Sequence, residues 1–133
     1  DGCCEEEILR RVRLYAGEER LLVDVLLDQH IAAGIGNVFK SESLFVAGYS
    51  PRSRFGDLDR AELLRLYQIA ADLLGGNLGG GPRTTREQQD GRGRLWVYAR
   101  WRLPCLRCGT LILRDYLGDP PRSTYWCPRC QPD

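Results

Sequence analysis

Four cysteines in two closely spaced pairs constrain the fold more than any other feature of the chain. The pairs are Cys105-x2-Cys108 and Cys127-x2-Cys130, with eighteen residues between them. Two such turns joined by a hairpin can direct four thiolates at one point, which predicts a structural Zn²⁺ in a closed tetrahedral shell. Iron in a rubredoxin-like site and two disulfides in a secreted domain are the alternatives. No signal peptide is visible and nothing indicates redox chemistry.

Short apolar runs near these cysteines are typical of β-strands, and they lie at residues 95–98, 110–114 and 123–126. Strands this short cannot bury a core by themselves, so we expect the metal to hold residues 95–133 together as a small Cys4 zinc-finger module. Cys3 and Cys4 remain outside this module. We interpret them as reduced and incidental, because adjacent cysteines rarely satisfy disulfide geometry.

The N-terminal half has the apolar periodicity of helices. Gly48 and Pro51 are typical of a helix end, and Asp59 with Glu62 forms the capping-box pattern of a helix start. We predict a mainly α fold with a four-helix domain over residues 1–76, a mobile Gly- and Arg-rich linker over 77–94, and the finger over 95–133. The helices are expected at residues 5–15, 18–30, 37–47 and 60–74.

Gly34, Gly36 and Asn37 interrupt this helical pattern in the sequence Gly-Ile-Gly-Asn. Asn37 is predicted as the N-cap of the third helix, and the glycines leave the first backbone N–H groups of that helix accessible to an anion such as a phosphate. Lys40 in the first turn opposes the helix dipole unless an anion lies nearby. A simple corner between two helices explains the glycines equally well, and both interpretations stay open on pattern alone.

The charge is unevenly distributed, although the net charge of the 133 residues is only +1. Residues 83–114 contain eight arginines against Glu87 and Asp90, a local net charge of +6. Such a basic segment favours a phosphate-binding surface, with a solvated Arg-rich face as the alternative. No run of about 18 apolar residues predicts a membrane span.

Several other residues have ordinary interpretations. His30 is predicted to lie on a helix surface rather than to bind metal, because the four thiolates need no further ligand. Trp96, Trp101 and Trp126 are predicted as core residues rather than as platforms for stacked bases. Glu42 and Asp28 are candidates to brace the glycine turn by accepting backbone N–H groups.

Two stretches of the chain resemble one known family. LLDQHIAAGIGNVFKSESLFVAGYSP, from Leu26 to Pro51, is similar to the helix–two-turns–helix signature of the formamidopyrimidine-DNA glycosylase and endonuclease VIII family. VYARWRLPCLRCGTLILRDYLGDPPRSTYWCPRCQ, from Val97 to Gln131, looks like the C-terminal zinc finger of that family. The two stretches occur in the family's order, and with the helix and loop between them they span nearly the whole chain. The Arg-Thr-Thr and Leu-Trp-Val-Tyr sequences resemble the endonuclease VIII branch of this family more than the other branch.

The resemblance implies roles for individual residues. Asn37 matches the turn asparagine that binds the phosphate beside the lesion, and Arg122 matches the hairpin arginine that grips phosphates flanking the flipped nucleotide. Tyr98 matches a phosphate-contacting tyrosine just before the finger. Gly36 and Lys40, from the anion-site interpretation, complete the predicted phosphate-binding set. The chain departs from the family in having Ala99, Arg102 and Pro121 where glycine is usual, and Pro121 removes a backbone donor at the hairpin tip.

The family's catalytic apparatus is an N-terminal domain that begins with a proline amine, which forms a Schiff base with the damaged sugar. This sequence begins Asp1-Gly2, and no proline precedes Pro51. We therefore expect the chain to be the DNA-binding C-terminal half of a base-excision-repair glycosylase with abasic-site lyase activity, without the N-terminal catalytic domain and inactive alone.

The expected partner is double-stranded DNA with damaged bases or abasic sites. The chain is expected to be a monomer in the bacterial cytoplasm, associated with the nucleoid. A stand-alone, non-catalytic nucleic-acid-binding module and a zinc-ribbon module for protein interaction are the alternatives. Salt-dependent DNA binding separates the last of these from the other two.

Overall fold

A computed structural model of the chain describes residues 2–77, 83–88 and 90–133, and the side chains of residues 2–4 are not described. The described part of the chain is mainly helical, with one antiparallel hairpin near its end. In the described residues, no helix combines the length and apolar character needed to cross a membrane. The elements are α1 (Gly2–Tyr15), α2 (Leu22–Leu27), α3 (Asn37–Ala47), α4 (Arg60–Gly75), β1 (Leu113–Leu117) and β2 (Arg122–Trp126).

The four helices surround one apolar core, which confirms the predicted mainly α fold. Each helix contributes a buried face, and the turn between α2 and α3 contributes Ile31 and Ile35. The start of α4 is the predicted capping box, in which the Asp59 carboxylate accepts the Glu62 N–H and the Glu62 carboxylate accepts the Asp59 N–H. The end of α3 is also as predicted, since Gly48 adopts a left-handed conformation with φ of 86°.

The second helix is much shorter than the predicted span of residues 18–30. Before it, Leu21 pairs with Arg54 in an isolated β-bridge, and the Leu22 N–H donates to the Ser53 carbonyl. After it, Asp28 is extended with ψ of 107°, and its carboxylate accepts the His30 N–H in place of a helical carbonyl. The apolar spacing continues through both ends, but these competing hydrogen bonds confine α2 to Leu22–Leu27.

A second core joins the finger to α3. Phe45 of α3 packs with Val97, Cys105, Ile112 and Cys127, all of which are buried. The hairpin itself is short, with β1 and β2 antiparallel and Leu113 opposite Trp126 at one end. The finger is therefore folded against the helical domain and does not depend only on its own strands for burial.

The predicted strand at residues 95–98 is wrong. The backbone N–H groups of Trp96, Val97 and Tyr98 all donate to the carboxylate of Glu42, at 2.6 to 3.0 Å. Three successive donors that converge on one carboxylate cannot also form a β-ladder, in which alternate donors point in opposite directions. The predicted strand at 110–114 begins later, because β1 starts at Leu113.

Part of the predicted linker over residues 77–94 is described, and residues 78–82 and 89 lie outside the described residues. In the described part, Thr85 and Arg86 donate their N–H groups to the Arg94 carbonyl, and Arg86 forms an ion pair with Asp90 at 2.7 Å. Thr85 also hydrogen bonds to Glu42 through its hydroxyl. The mobility of this linker and the domain boundaries at residues 76 and 94 stay predictions, as does the interpretation of Cys3 and Cys4, whose side chains lie outside the described part of the chain.

Candidate nucleic-acid interface and metal centre

The four predicted cysteines meet in one cluster. Their Sγ atoms all lie within 4.8 Å of one another, with Cys105 and Cys127 buried and Cys108 and Cys130 half-buried. The Cys105–Cys130 and Cys108–Cys127 sulfur distances are 3.9 and 3.4 Å. Tetrahedral Zn–S bonds of about 2.3 Å require sulfur–sulfur distances of about 3.8 Å. The donor set and its spacing therefore fit a four-coordinate metal ion.

Hydrogen bonding and burial influence the thiols of this cluster in opposite directions. Hydrogen bonds from the Thr110 hydroxyl and backbone lower the pKa of the Cys108 thiol to about 6. Burial raises the pKa of the Cys127 and Cys130 thiols. Metal binding needs thiolates, and the hydrogen bonds at Cys108 favour that form.

The first turn of α3 is open, as the anion-site interpretation requires, but its cap differs from the prediction. Gly36 and not Asn37 is the N-cap, and no side chain among the described residues caps the helix. Gly34 takes a left-handed φ of 95°, which glycine adopts without strain. A methyl group placed on Gly36 would meet no heavy atom of the described residues within 4 Å, so there is open space beside the N-cap.

Asn37 is the first helical residue, and its side chain points to the hairpin. Its Nδ2 donates to the carbonyl and the hydroxyl of Ser123 in β2, at 2.9 and 3.2 Å. Its Oδ1 accepts the Lys40 ammonium at 2.5 Å. Since Lys40 can only donate, this bond fixes the amide with its nitrogen towards the finger.

Lys40, predicted as a phosphate-binding residue, is fully buried behind Asn37. Its Nζ also donates to the Ser123 carbonyl at 3.1 Å and to the Thr124 hydroxyl at 3.0 Å. Burial, with a smaller contribution from the Arg122 charge, lowers the pKa of Lys40 to about 8, while Asp24 acts in the opposite direction. The amine is therefore held between two elements, directly below the turn.

Arg122 and Tyr98 lie on the finger side of this network. Arg122 begins β2, is exposed, and neighbours the Ser123 that binds Asn37. Tyr98 packs on Tyr125 of β2 with ring centroids 5.1 Å apart. Of the five predicted phosphate-binding residues, Gly36, Asn37, Lys40 and Arg122 lie at the junction of the α3 N-terminus and the hairpin, and Tyr98 lies farther along the finger, against Tyr125.

The hairpin tip, where Pro121 departs from the family pattern, rests on α2. The Asp24 carboxylate accepts the Asp119 N–H at 3.0 Å. A Cβ on Gly118 would lie 2.5 Å from the same carboxylate, and Gly118 has a left-handed φ of 97°. This close approach holds the hairpin in place although Pro121 supplies no backbone donor.

Sequence reasoning missed two residues of this junction. Ser123 and Thr124 lie within the Arg-Ser-Thr run that carries part of the family resemblance, but nothing local in the sequence indicates their contacts with α3. The Glu42 role was half predicted. Glu42 does accept backbone N–H groups, but those of residues 96–98 rather than those of the glycine turn.

The ordinary interpretations of the aromatic residues and of His30 have mixed outcomes. Trp126 is buried and Trp96 packs on Phe45 with centroids 5.3 Å apart, as core residues do. The prediction for Trp101 is wrong, because 41% of this residue remains exposed. His30 lies at the surface, as predicted, but in the turn after α2 rather than on a helix, and its Nδ1 is 3.0 Å from the Asp28 carboxylate.

A glycine turn between helices, tied through the start of α3 to a four-cysteine hairpin, defines a helix–two-turns–helix protein with a C-terminal finger. Residues 7–88 match the family model described as formamidopyrimidine-DNA glycosylase H2TH domain. The chain belongs to this family.

Relatives from both branches of the family are similar to the chain. It is 46% identical over 119 residues to the "DNA-(apurinic or apyrimidinic site) lyase Nei2" of Mycolicibacterium smegmatis, covering 89% of this chain and 45% of that protein. It is 40% identical over 126 residues to the "Formamidopyrimidine-DNA glycosylase" of Parasynechococcus marenigrum, covering 90% and 45%. The chain therefore spans less than half the length of these curated relatives.

Solved structures share the fold. The MutM (Fpg) protein of Thermus thermophilus superposes with a TM-score of 0.75 at 34% identity, over 96% of this chain and 49% of that one. The Lactococcus lactis Fpg in complex with an abasic site containing DNA superposes with a TM-score of 0.77 at 25% identity, over 97% and 47%.

Proposed function

We propose that the chain is the DNA-binding part of a base-excision-repair glycosylase and abasic-site lyase, and that it clamps the phosphates of duplex DNA beside an extruded damaged nucleotide. One observation carries this proposal: the open N-terminus of α3 is hydrogen-bonded through Asn37 to the hairpin that carries Arg122. Two elements that are distant in sequence thereby present backbone donors, an amide and a guanidinium at one junction.

The α3 end of this junction suits one phosphate. The uncapped N–H groups after Gly36 provide donors and the positive end of the helix dipole. Asn37 gives one Nδ2 hydrogen to the Ser123 hydroxyl at 3.2 Å. A phosphate oxygen can take over this hydrogen, and the Ser123 hydroxyl can rotate to donate to the same phosphate. The open space beside Gly36 would let a phosphate approach the backbone.

The finger end supplies the charge. Arg122 is exposed, and it is close enough to lower the pKa of Lys40, so the two cations act on the same region. Tyr98 contributes a hydroxyl on a ring that packs against Tyr125. Lys40 supports the phosphate site from a buried position, because it orients Asn37 and adds its charge without reaching the surface. Phosphate contacts of this kind fix position on the duplex and do not read sequence.

One structural Zn²⁺ is proposed for the four-cysteine cluster. Cys105, Cys108, Cys127 and Cys130 would hold it, and a closed four-thiolate shell leaves no position for catalysis. The ion would link the segment before the hairpin to the residues that follow β2, and would thereby fix the hairpin that presents Arg122.

The relatives support the proposed partner and the proposed activity of the parent protein. Similar proteins include a DNA-(apurinic or apyrimidinic site) lyase and a formamidopyrimidine-DNA glycosylase, and a similar solved structure holds an abasic site containing DNA. Double-stranded DNA with damaged bases or abasic sites is the partner that we propose, bound by a monomer. Base excision and strand cleavage would be activities of a whole protein of the relatives' length.

Substitution of the two clamp residues tests the proposal. Arg122→Ala should weaken binding to duplexes of any sequence. It should also reduce the steepness of the salt dependence, the magnitude of the slope of log affinity against log salt, by about 0.9, as loss of one phosphate contact requires. Asn37→Ala should weaken binding with little change of slope, because an amide releases no counterion. Fluorescence anisotropy with an abasic-analogue duplex at several salt concentrations measures both quantities.

Arg65→Ala is the matched control. Arg65 is exposed on α4, where it donates to the Ala47 carbonyl away from the junction. The assignment of Arg122 to the phosphate clamp is wrong if Arg122→Ala and Arg65→Ala have the same salt slope. It is also wrong if Arg122→Ala loses affinity for one base sequence only.

A further inference from the structure

A cationic cluster on the finger lies outside the clamp described above. It consists of Trp101, Arg102 and Arg114, and we call it the Trp101 cluster. The guanidinium carbons of Arg102 and Arg114 lie 4.4 and 4.0 Å from the centre of the Trp101 ring. All three residues are exposed, and within the described part of the chain neither arginine has an ion pair.

The backbone of Arg102 has an unfavourable conformation, which places the side chain against Trp101. Arg102 has φ of 64°, in the left-handed region that glycine adopts freely and other residues avoid. Ala99 has a similar φ of 61°, but its methyl side chain offers no charge. At position 102 the strained conformation carries a long cationic side chain onto an exposed aromatic ring. Ala99 therefore provides a natural comparison for the cost of the backbone alone.

The cluster lies on the hairpin face that also carries Ser123, which binds Asn37 of the proposed phosphate clamp. Arg114 of β1 pairs with Tyr125 of β2, and directly opposed residues of an antiparallel pair point to the same face. Tyr125 packs on Tyr98 and lies two residues, about 7 Å, from Ser123. One face of the hairpin therefore runs from Ser123, which binds Asn37, through Tyr125 to Arg114 and the Trp101 cluster.

Charge decides what this face can bind. Two guanidinium groups against one ring repel each other, and no acidic residue among those described neutralises them. A row of phosphates provides negative charge at regular spacing along the continuation of the clamp, whereas an acidic protein segment would have to approach next to bound DNA. The continuity of the face thus favours the DNA backbone.

We propose that the Trp101 cluster extends the DNA interface, with Arg102 and Arg114 binding phosphates farther along the duplex than those at the clamp. The proposal rests on the proposed function and assigns it two further contacts. Trp101 positions both guanidinium groups through cation–π packing. Because the contacts are to phosphates, they raise affinity for duplexes of any sequence and do not select a lesion.

Replacement by glycine tests the proposal without adding strain. Arg102→Gly removes the guanidinium at a position where glycine suits the backbone, and Ala99→Gly makes the same backbone change without loss of charge. In the zinc-loaded chain, Arg102→Gly should lower the salt slope by about 0.9, so that between about 50 and about 200 mM salt it loses roughly threefold less affinity than the unmodified chain. Ala99→Gly should keep the original slope, and Arg114→Gln should behave like Arg102→Gly.

A scan with uncharged methylphosphonates identifies the phosphate. One linkage of the abasic-analogue duplex, outside those sensed by Arg122, should weaken binding of the unmodified chain and have no further effect on Arg102→Gly. If Arg102→Gly keeps the original salt slope while Arg122→Ala lowers it, the Trp101 cluster does not bind DNA. An acidic protein segment would then be the partner to test. An unchanged slope in Arg122→Ala rejects the proposed clamp itself.

Discussion

Lys40 is the residue at which folding and the proposed phosphate site are most closely coupled. Its ammonium is buried, yet three acceptors surround it: Asn37 Oδ1, the Ser123 carbonyl and the Thr124 hydroxyl. Its pKa is lowered from 10.5 to about 8, so the native state opposes the charged form. This penalty is present below pH 8 and is relieved as pH rises from about 8 to about 10.5, where the unfolded chain binds the extra proton.

DNA affinity should respond to the same titration with the opposite sign. The charged form of Lys40 adds positive charge beneath the proposed phosphate, together with Arg122, whereas Asp24 is the acidic group that acts on it. Affinity for an abasic-analogue duplex is therefore expected to fall as pH rises through about 8. Anisotropy titrations at constant ionic strength, from about pH 7 to about pH 9.5, measure the change.

Lys40→Met separates this effect from other titrations. Methionine fills similar space but has no charge, so this variant should bind more weakly at pH 7 and should lack the part of the pH dependence that belongs to Lys40. A variant with the same decline above pH 8 as the unmodified chain would exclude Lys40 as its source.

Glu42 connects one helix to an irregular segment, and it shows why an element can differ from its sequence pattern. The Leu-Trp-Val-Tyr run has the composition of a strand, but its donors bind a buried carboxylate 54 to 56 residues away in sequence. Each of these charge-assisted bonds is stronger than a neutral ladder bond. The segment is therefore shaped by α3 and not by a neighbouring strand.

Glu42→Gln should destabilise the chain by about 2 kcal/mol, because hydrogen bonds to a charged group contribute about 1.5–3 kcal/mol and an amide retains only one oxygen. Urea unfolding measures the loss, and amide exchange should become faster at Trp96, Val97 and Tyr98. Glu6→Gln, at an exposed position of α1, is the control and should change stability by less than about 0.5 kcal/mol. Equal effects of the two substitutions would contradict the role of Glu42.

Local signals predicted the elements that depend on local contacts. Helix α3 was predicted over Asn37–Ala47 from the glycine break and Gly48, and α4 was predicted from its capping box. The ends of α2 were not, because the Leu21–Arg54 bridge competes with the helix at its start and the bond from the His30 N–H to the Asp28 carboxylate competes at its end. The four cysteines were predicted from their spacing and do meet in one cluster. The Asn37–Ser123 contact joins residues 86 positions apart, and no pattern in the sequence encodes that pairing.

At the scale of the whole molecule, α3 belongs to two cores at once. Leu44 is buried among the four helices, and the adjacent Phe45 is buried against the finger. The last residues of the chain reinforce this union: Gln131 donates to the Tyr49 carbonyl at 2.9 Å and accepts the Cys127 N–H at 3.0 Å. A disturbance of the cysteine cluster should therefore reach the helix that carries Asn37.

Removal of the metal tests this connection. A chelator would remove the proposed ion, which would join Cys105 and Cys108 to Cys127 and Cys130, and the remaining apolar contacts with α3 are too few to keep the finger folded. We expect the resonances of residues 96–131 to collapse in two-dimensional amide NMR. Those of α3 should shift, because Phe45 loses its partners, while those of α1 and the buried face of α4 stay near their original positions.

DNA affinity should fall when the metal is removed, because the hairpin then no longer holds Ser123 against Asn37. The ion itself is not expected to contact DNA. Added Zn²⁺ should restore both the spectrum and the affinity. Chelation that leaves the finger resonances unchanged would show that the cysteines need no metal. Chelation that unfolds the finger but leaves α3 and DNA affinity unchanged would show that the two cores are independent and that the clamp does not require the hairpin.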